Sequence, residues 1–248
     1  MPRTRSYAAL LSVLVVVLTG CQPTLNPNPI PDAPPSASPA STPAKALPSS
    51  AATSVPFSPQ APFANWDAAH EEACEEMSLI MVVHALNRTA LAANDAEREL
   101  QKLLAWEVTH GYGVDVTIEQ LGRIARDAYG IRSSILSDVS EESLERAIAA
   151  GRPVILPIAG RELGNPYFSG EGPWYHMLIV TGYRHGFFGQ TIFKTNDPGT
   201  KRGEGYEYSA STLVHAVHDW TGVKEEIDRG QRKMLVVESK SLGEAAPT

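Results

Sequence analysis

The chain has 248 residues, with 28 acidic and 21 basic side chains, a formal net charge of −7 and 43% hydrophobic residues. That length accommodates one catalytic domain with a substantial core, once segments unable to fold are set aside. The acidic balance, without any Lys/Arg cluster, excludes nucleic acid as a partner and excludes electrostatic attachment to an anionic membrane.

Arg3 and Arg5 precede an apolar run from Tyr7 to Leu18 that closes on Leu18-Thr19-Gly20-Cys21, the layout of an export signal. The run is too short to span a bilayer as a stable helix. Gly20 directly before Cys21 resembles the bacterial lipobox, which implies removal of the signal peptide at 1–20 and lipidation of Cys21 as the new N-terminus. With Gln22 rather than Asp after the cysteine, the sorting rule of such lipoproteins favours the outer membrane if the host has one. The expected location is the bacterial cell envelope, with membrane association through the lipid on Cys21 alone.

Residues 21–54 are dominated by Pro, Ala, Ser and Thr, with only Asp32 and Lys45 charged, so they read as a lipidated Cys followed by a disordered linker. At about 3.1 Å per residue in extended polyproline geometry, this linker reaches up to roughly 100 Å. The folded domain is expected at 55–240, with 241–248 as a disordered tail. If Cys21 carries lipid, Cys74 is the only thiol left in that domain, so no intramolecular disulfide can form.

Within the domain, Ala73 to Leu86 holds the apolar run Leu79-Ile80-Met81-Val82-Val83, which suits a helix buried on most sides, with Cys74 at its N-terminus. A second helix is predicted from about Asp95 to Val108. Thr117 and Gln120 have capping-box spacing for a third helix that Gly130 stops after Tyr129. Ser140 precedes a further amphipathic stretch ending at Gly151. Short β-branched or apolar runs follow at Val154 to Ile158, Met177 to Tyr183, Thr191 to Lys194 and Met234 to Val237. Helices first and strands afterwards describe an α+β layout, with the nucleophile helix packed beside an antiparallel sheet.

A helix N-terminus stabilises a thiolate, which favours Cys74 as a nucleophile, while Glu75 and Glu76 beside it oppose that ionisation. His176 opens a strand after the Gly172-Pro173-Trp174-Tyr175 loop and is the candidate base. A hairpin in which Tyr183 meets Gln190 sets His176 opposite Asp197, whereas a one-residue slip substitutes Asn196 as the orienting group. Gln60 is the side-chain amide available upstream for an oxyanion.

The ordered set Val55-Pro56-Phe57-Ser58-Pro59-Gln60-Ala61-Pro62, Trp66, Ala73-Cys74-Glu75-Glu76-Met77-Ser78, Pro157-Ile158-Ala159-Gly160-Arg161, Tyr175-His176-Met177, Gly182-Tyr183 and Asn196-Asp197-Pro198-Gly199-Thr200 resembles the bacteriocin-processing, double-glycine peptidase-like group of the papain-like clan. The resemblance covers about Val55 to Val237. It implies a papain-like fold without metal or other cofactor, with Gln60 in the oxyanion hole, Cys74 as nucleophile, His176 as general base and Asp197 as its orienter. Two features depart from the pattern: Gln60 lies fourteen residues before Cys74, where about six is common in the clan, and Glu75 stands where related proteins often carry Gly.

Other residues read as structure. His84 suits a hydrogen-bonded core position; His215 and His218, with Asp219 nearby, read as a partly exposed helix face rather than a metal site, and His70 with Cys74 has i,i+4 spacing but no second ligand pair for a metal. The acidic run Asp67, Glu71, Glu72, Glu75, Glu76 reads as a solvated face that could attract a cationic substrate. The expected activity is hydrolysis of an amide bond in a peptide, protein or peptidoglycan substrate through a thioester acyl-enzyme. A non-catalytic peptide- or cell-wall-binding module on the same fold and an acyl transferase to amines are the alternatives.

Overall fold

The computed structural model of the chain describes residues 46–240. The signal at 1–20, Cys21, most of the linker and the tail at 241–248 lie outside the described residues. The elements are β1 (Ser50–Ala52), α1 (Ala68–Glu71), α2 (Cys74–Asn87), α3 (Ala93–Thr109), α4 (Ile118–Tyr129), β2 (Ile131–Leu136), α5 (Glu141–Ala149), β3 (Val154–Ala159), β4 (Tyr175–His185), β5 (Thr191–Asn196), β6 (Tyr206–Ser209), α6 (Ala210–His215) and β7 (Met234–Lys240), with 3₁₀ turns at Gly160–Leu163 and Lys224–Arg229.

All strands join one antiparallel sheet in the order β2-β7-β3-β4-β5-β6, with β1 added on β4. Alternation along the strands divides the core. Ile155, Met177, Ile179 and Leu235 pack with α2, α3 and α4, whereas Val154, Leu156, Leu178 and Val180 pack with α5 and α6. A helical part, α2 to α4, packed on one face of an antiparallel sheet, with α5 and α6 covering the other, makes this an α+β, papain-like fold.

The sequence signals for the helices have the expected physical basis. Thr117 caps α4 through a capping box with Gln120, and Gly130 ends that helix in the left-handed region at φ 66°. Ser140 caps α5 in the same way with Ser143. Helix α2 instead lacks a side-chain cap, since Ala73 occupies the N-cap, and every residue from Cys74 to His84 is buried. Buried on every side, it shows no amphipathic stripe.

Three strands escape the pattern. Ile131–Leu136 is a mixed apolar and serine segment held by pairing with β7, and Tyr206–Ser209 forms the short edge beyond β5. A strand thus precedes α5, so helices and strands are not cleanly separated along the chain. Ser50–Ala52 lies in the stretch expected to be disordered, and the folded part begins before Val55. Its composition is linker-like, yet β4 runs past the end of β3 and leaves an open edge at Gly182–Arg184 that Ser50–Ala52 fills. Thr53 N–H and Oγ1 donate to Thr181 O, His185 N–H donates to Ser49 O at 2.9 Å, and Tyr183 OH donates to Pro48 O at 2.8 Å. Edge pairing overrides composition here, because an exposed ladder edge needs partners for its main-chain groups.

A chain beginning at Val55 loses this strand and the hydrogen bonds beside it. At about 0.5–1.5 kcal/mol net per bond, urea unfolding should report a loss of roughly 2–4 kcal/mol relative to a chain that retains residues 46–54. Equal stability would show that β1 contributes nothing.

Candidate active site

The β4–β5 ladder ends at the pair Ile179 and Asn196, and β5 then leaves β4. The main-chain groups of Met177 turn to α2 instead. Met177 N–H donates to Cys74 Sγ at 3.3 Å, and Met177 O accepts from Ser78 Oγ at 3.4 Å. Cys74 and Ser78 are one helical turn apart, so the two contacts fix both the height and the rotation of the α2 N-terminus against β4. Cys74 is 5% exposed and lines a cleft of about 560 Å³ together with His176, Gln60 and Trp174.

His176 shares the face of Leu178 and Val180 but stands at the strand's open end. Its Nε2–H donates to Asp197 Oδ1 at 2.7 Å, an assignment set by the acceptor-only carboxylate, which leaves Nδ1 as the nitrogen free for a thiol. Asp197 is fully buried and fully satisfied: Gly199 N–H reaches Oδ1 at 3.0 Å, while Tyr208 OH at 3.0 Å and Asn165 Nδ2 at 3.3 Å reach Oδ2. The imidazole is packed edge to face on Phe168 at 5.4 Å. Gly199 passes so close that a Cβ there would lie 2.8 Å from His176 Cε1.

The register that brings His176 to Asp197 differs from the expected one. Tyr183 pairs with Phe193 rather than Gln190, because the turn spans Gly186–Gln190 and a bulge falls between Val180 and Gly182. Asp197 reaches the ring from the loop after β5, where its N–H is held by Gly203 O at 3.0 Å. Asn196 faces elsewhere: its Nδ2 donates to Val55 O at 3.0 Å and its Oδ1 accepts from Gly205 N–H at 3.1 Å. Tyr208, Asn165 and Phe168 were not singled out by sequence reasoning. Only the alternating Tyr206-Glu207-Tyr208 carried a signal, that of a strand with one buried face.

Gln60 lies in the cleft wall, with its N–H bonded to Pro198 O at 2.9 Å. Its side-chain Nε2 donates to His70 O at 2.8 Å and to Glu71 O at 2.9 Å, which engages both amide hydrogens. His70, bracketed by Asp67 at 2.7 Å and Glu97 at 2.9 Å, fastens this turn to α3. The fourteen-residue interval between Gln60 and Cys74 is therefore occupied by a turn that folds back and carries the amide to the cleft.

Comparison with known proteins bears on this geometry. The profile of the Peptidase_C39 like family matches residues 53–228. The chain belongs to that family. Its members include peptidases, and membership points to cysteine peptidase-type chemistry on peptide or protein substrates. Among solved structures, a Bacillus anthracis protein assigned to the C39-like peptidases superposes with a TM-score of 0.50 at 15% identity, covering 77% of this chain and 99% of that one. At that identity the likeness concerns the fold. No curated protein matches the chain.

In this C39-like domain the surroundings of the Cys74 thiol oppose its ionisation. Burial pushes the Cys74 thiol well up, aided by the charge of Glu75, to whose Oε2 the thiol donates at 2.9 Å, and by Glu76; only the Met177 N–H acts the other way. A helix terminus offers about 0.3–1 kcal/mol, less than one pKa unit, against up to 3–5 units for full burial, so burial wins. The resting group is a thiol.

Glu75 and Glu76 are 0% exposed, so the acidic run does not form a single solvated face. Glu75 is pushed well up by burial and by Glu76, and Glu76 by burial and by Glu107. No donor group among the described residues reaches either oxygen of Glu76. A proton shared between Glu76 and Glu107 resolves this arrangement, since it supplies the missing donor hydrogen. Glu71, Glu72 and Asp115 do line the cleft, where Lys224 pairs with Glu72 at 2.9 Å.

Glu107 beneath them is pushed up to about 7, with burial as the main cause. Its folded-state pKa lies above the unfolded value, so the folded state holds the proton where the unfolded chain has released it. This contribution favours folding below about pH 4.5 and is lost as pH rises towards 7. Thermal unfolding of Glu107→Gln should accordingly show a shallower decline of Tm across that window than the native chain. Parallel curves would contradict a buried neutral acid at this position.

Proposed function

We propose that the domain is a cysteine peptidase or amidase that cleaves an amide bond through Cys74, His176 and Asp197. His176 Nδ1 removes the thiol proton as Cys74 Sγ attacks the carbonyl carbon, and Asp197 stabilises the imidazolium through the Nε2–H. The oxyanion is held by the Cys74 N–H, at the first position of α2 and without a main-chain acceptor among the described residues, and by Gln60 once one amide hydrogen leaves Glu71 O. The imidazolium then protonates the leaving amine, and water activated by the same histidine hydrolyses the thioester. One observation carries this reading: the sulfur is bonded to the N–H of Met177 while the adjacent His176 is bonded to Asp197.

The substrate is a peptide, a protein or a peptidoglycan cross-link reaching a cleft bordered by Trp66, Tyr167, Phe168 and Trp174. Aromatic walls of this kind suit an extended chain carrying apolar side chains. The domain is carried as an exported lipoprotein, anchored through Cys21 and favouring the outer membrane where one exists. Among the described residues no helix is long and apolar enough to cross a membrane.

A non-catalytic binding module is favoured by one observation, the engagement of both Gln60 amide hydrogens by carbonyls. A peptide-library digest separates the readings. The native protein should give discrete cleavage products, Cys74→Ala none, and Gln60→Ala a kcat lowered by roughly 10²–10³-fold. Cleavage retained by Cys74→Ala, or none by the folded native protein, would sink the peptidase assignment.

A further inference from the structure

Phe187 and Phe188 form the tip of the β4–β5 hairpin, 96% and 88% exposed, with their rings edge to face at 5.2 Å. Among the described residues they are the only sequence-adjacent large apolar side chains that are both exposed. Gly186, Gly189 and Gln190 around them carry no charge. The nearest ionisable side chains along β4 have partners, Arg184 with Glu207 at 2.7 Å and His185 with Glu145 at 2.8 Å. Little polar surface therefore needs desolvation if this tip enters an apolar medium.

The chain's path gives the side of the domain from which the tether departs. Strand β1 runs antiparallel to β4, with Ser50 opposite Arg184 and Ser49 O bonded to the N–H of His185. Followed towards its start, the chain thus runs along β4 in the direction of the hairpin tip. Further upstream in sequence come the Pro-rich linker and the apolar segment ending at Cys21. The cleft lies at the other end of the strand: His176 is nine residues before His185, about 30 Å away at ~3.3 Å per residue.

We propose that the Phe187–Phe188 tip inserts into the surface of the lipid bilayer to which the chain is tethered, and so holds the cleft facing away from it. Aromatic side chains at a polar turn suit the membrane interface, where ring faces meet acyl chains and the backbone stays hydrated. Tethering raises the tip's local concentration at that surface, so a weak intrinsic affinity is sufficient. With no charged side chain from Gly186 to Gln190, this contact is apolar and, on zwitterionic headgroups, insensitive to salt. Tethering rests on the lipoprotein reading of Cys21, whereas the affinity of the tip for lipid does not.

The test uses the protein as the cell makes it, mixed with excess phosphatidylcholine vesicles bearing brominated acyl chains. Phe188→Trp places a fluorophore at the tip, and Val108→Trp places one at an exposed site on α3. After subtraction of the native emission, the tip signal should be quenched roughly threefold more than the reference, and equally in high salt. Equal quenching at the two sites would overturn the proposal, as would burial of the tip by a second copy, seen as protection that depends on protein concentration rather than on lipid. Intact mass reads acylation of Cys21 separately, and cleavage of a soluble peptide reads the peptidase assignment, so each failure is distinguishable.

Discussion

The site depends on a handover at Met177. Where β5 leaves β4, the strand has a main-chain N–H and C=O without ladder partners, and α2 takes both through Cys74 Sγ and Ser78 Oγ. Buried main-chain groups must be satisfied, so the end of the ladder and the docking of α2 satisfy one requirement. The consequence for chemistry is that the sulfur sits against the residue that follows His176. A helix shifted by one turn would break both bonds and remove the thiol from the cleft.

Around that joint, the imidazole is positioned by contacts from several chain segments. Asp197 orients it, Tyr208 and Asn165 hold Asp197, Phe168 packs on the ring, and Gly199 leaves the space the ring occupies. Apart from Asp197 and Gly199, these residues lie outside the segments that carried the sequence resemblance. They act as positioning groups, and their chemistry is legible only once the chain is folded.

Much of the helical frame could be read from local signals, since capping boxes at Thr117 and Ser140 and the stop at Gly130 act within one turn. The strands were harder. Ser50–Ala52 has the composition of a linker and becomes a strand because β4 outruns β3. The His176–Asp197 contact was anticipated from a hairpin register that does not exist, and it forms because a loop, free of ladder constraints, brings Asp197 back over the ring. The burial of Glu75 and Glu76 could not be read from an acidic run, because burial is a property of the packed helix rather than of the local sequence.

That burial sets the character of the Cys74 thiol. A thiol under fully buried neighbouring carboxyls is held protonated, so in the proposed reaction it would lose its proton only as it attacks the substrate. The rate of Cys74 alkylation by iodoacetamide against pH, followed by intact mass, tests this most directly. The structure predicts slow reaction at acid and neutral pH, rising through the alkaline range. A fast, pH-independent phase extending below about pH 6, the signature of a standing thiolate–imidazolium pair, would contradict it.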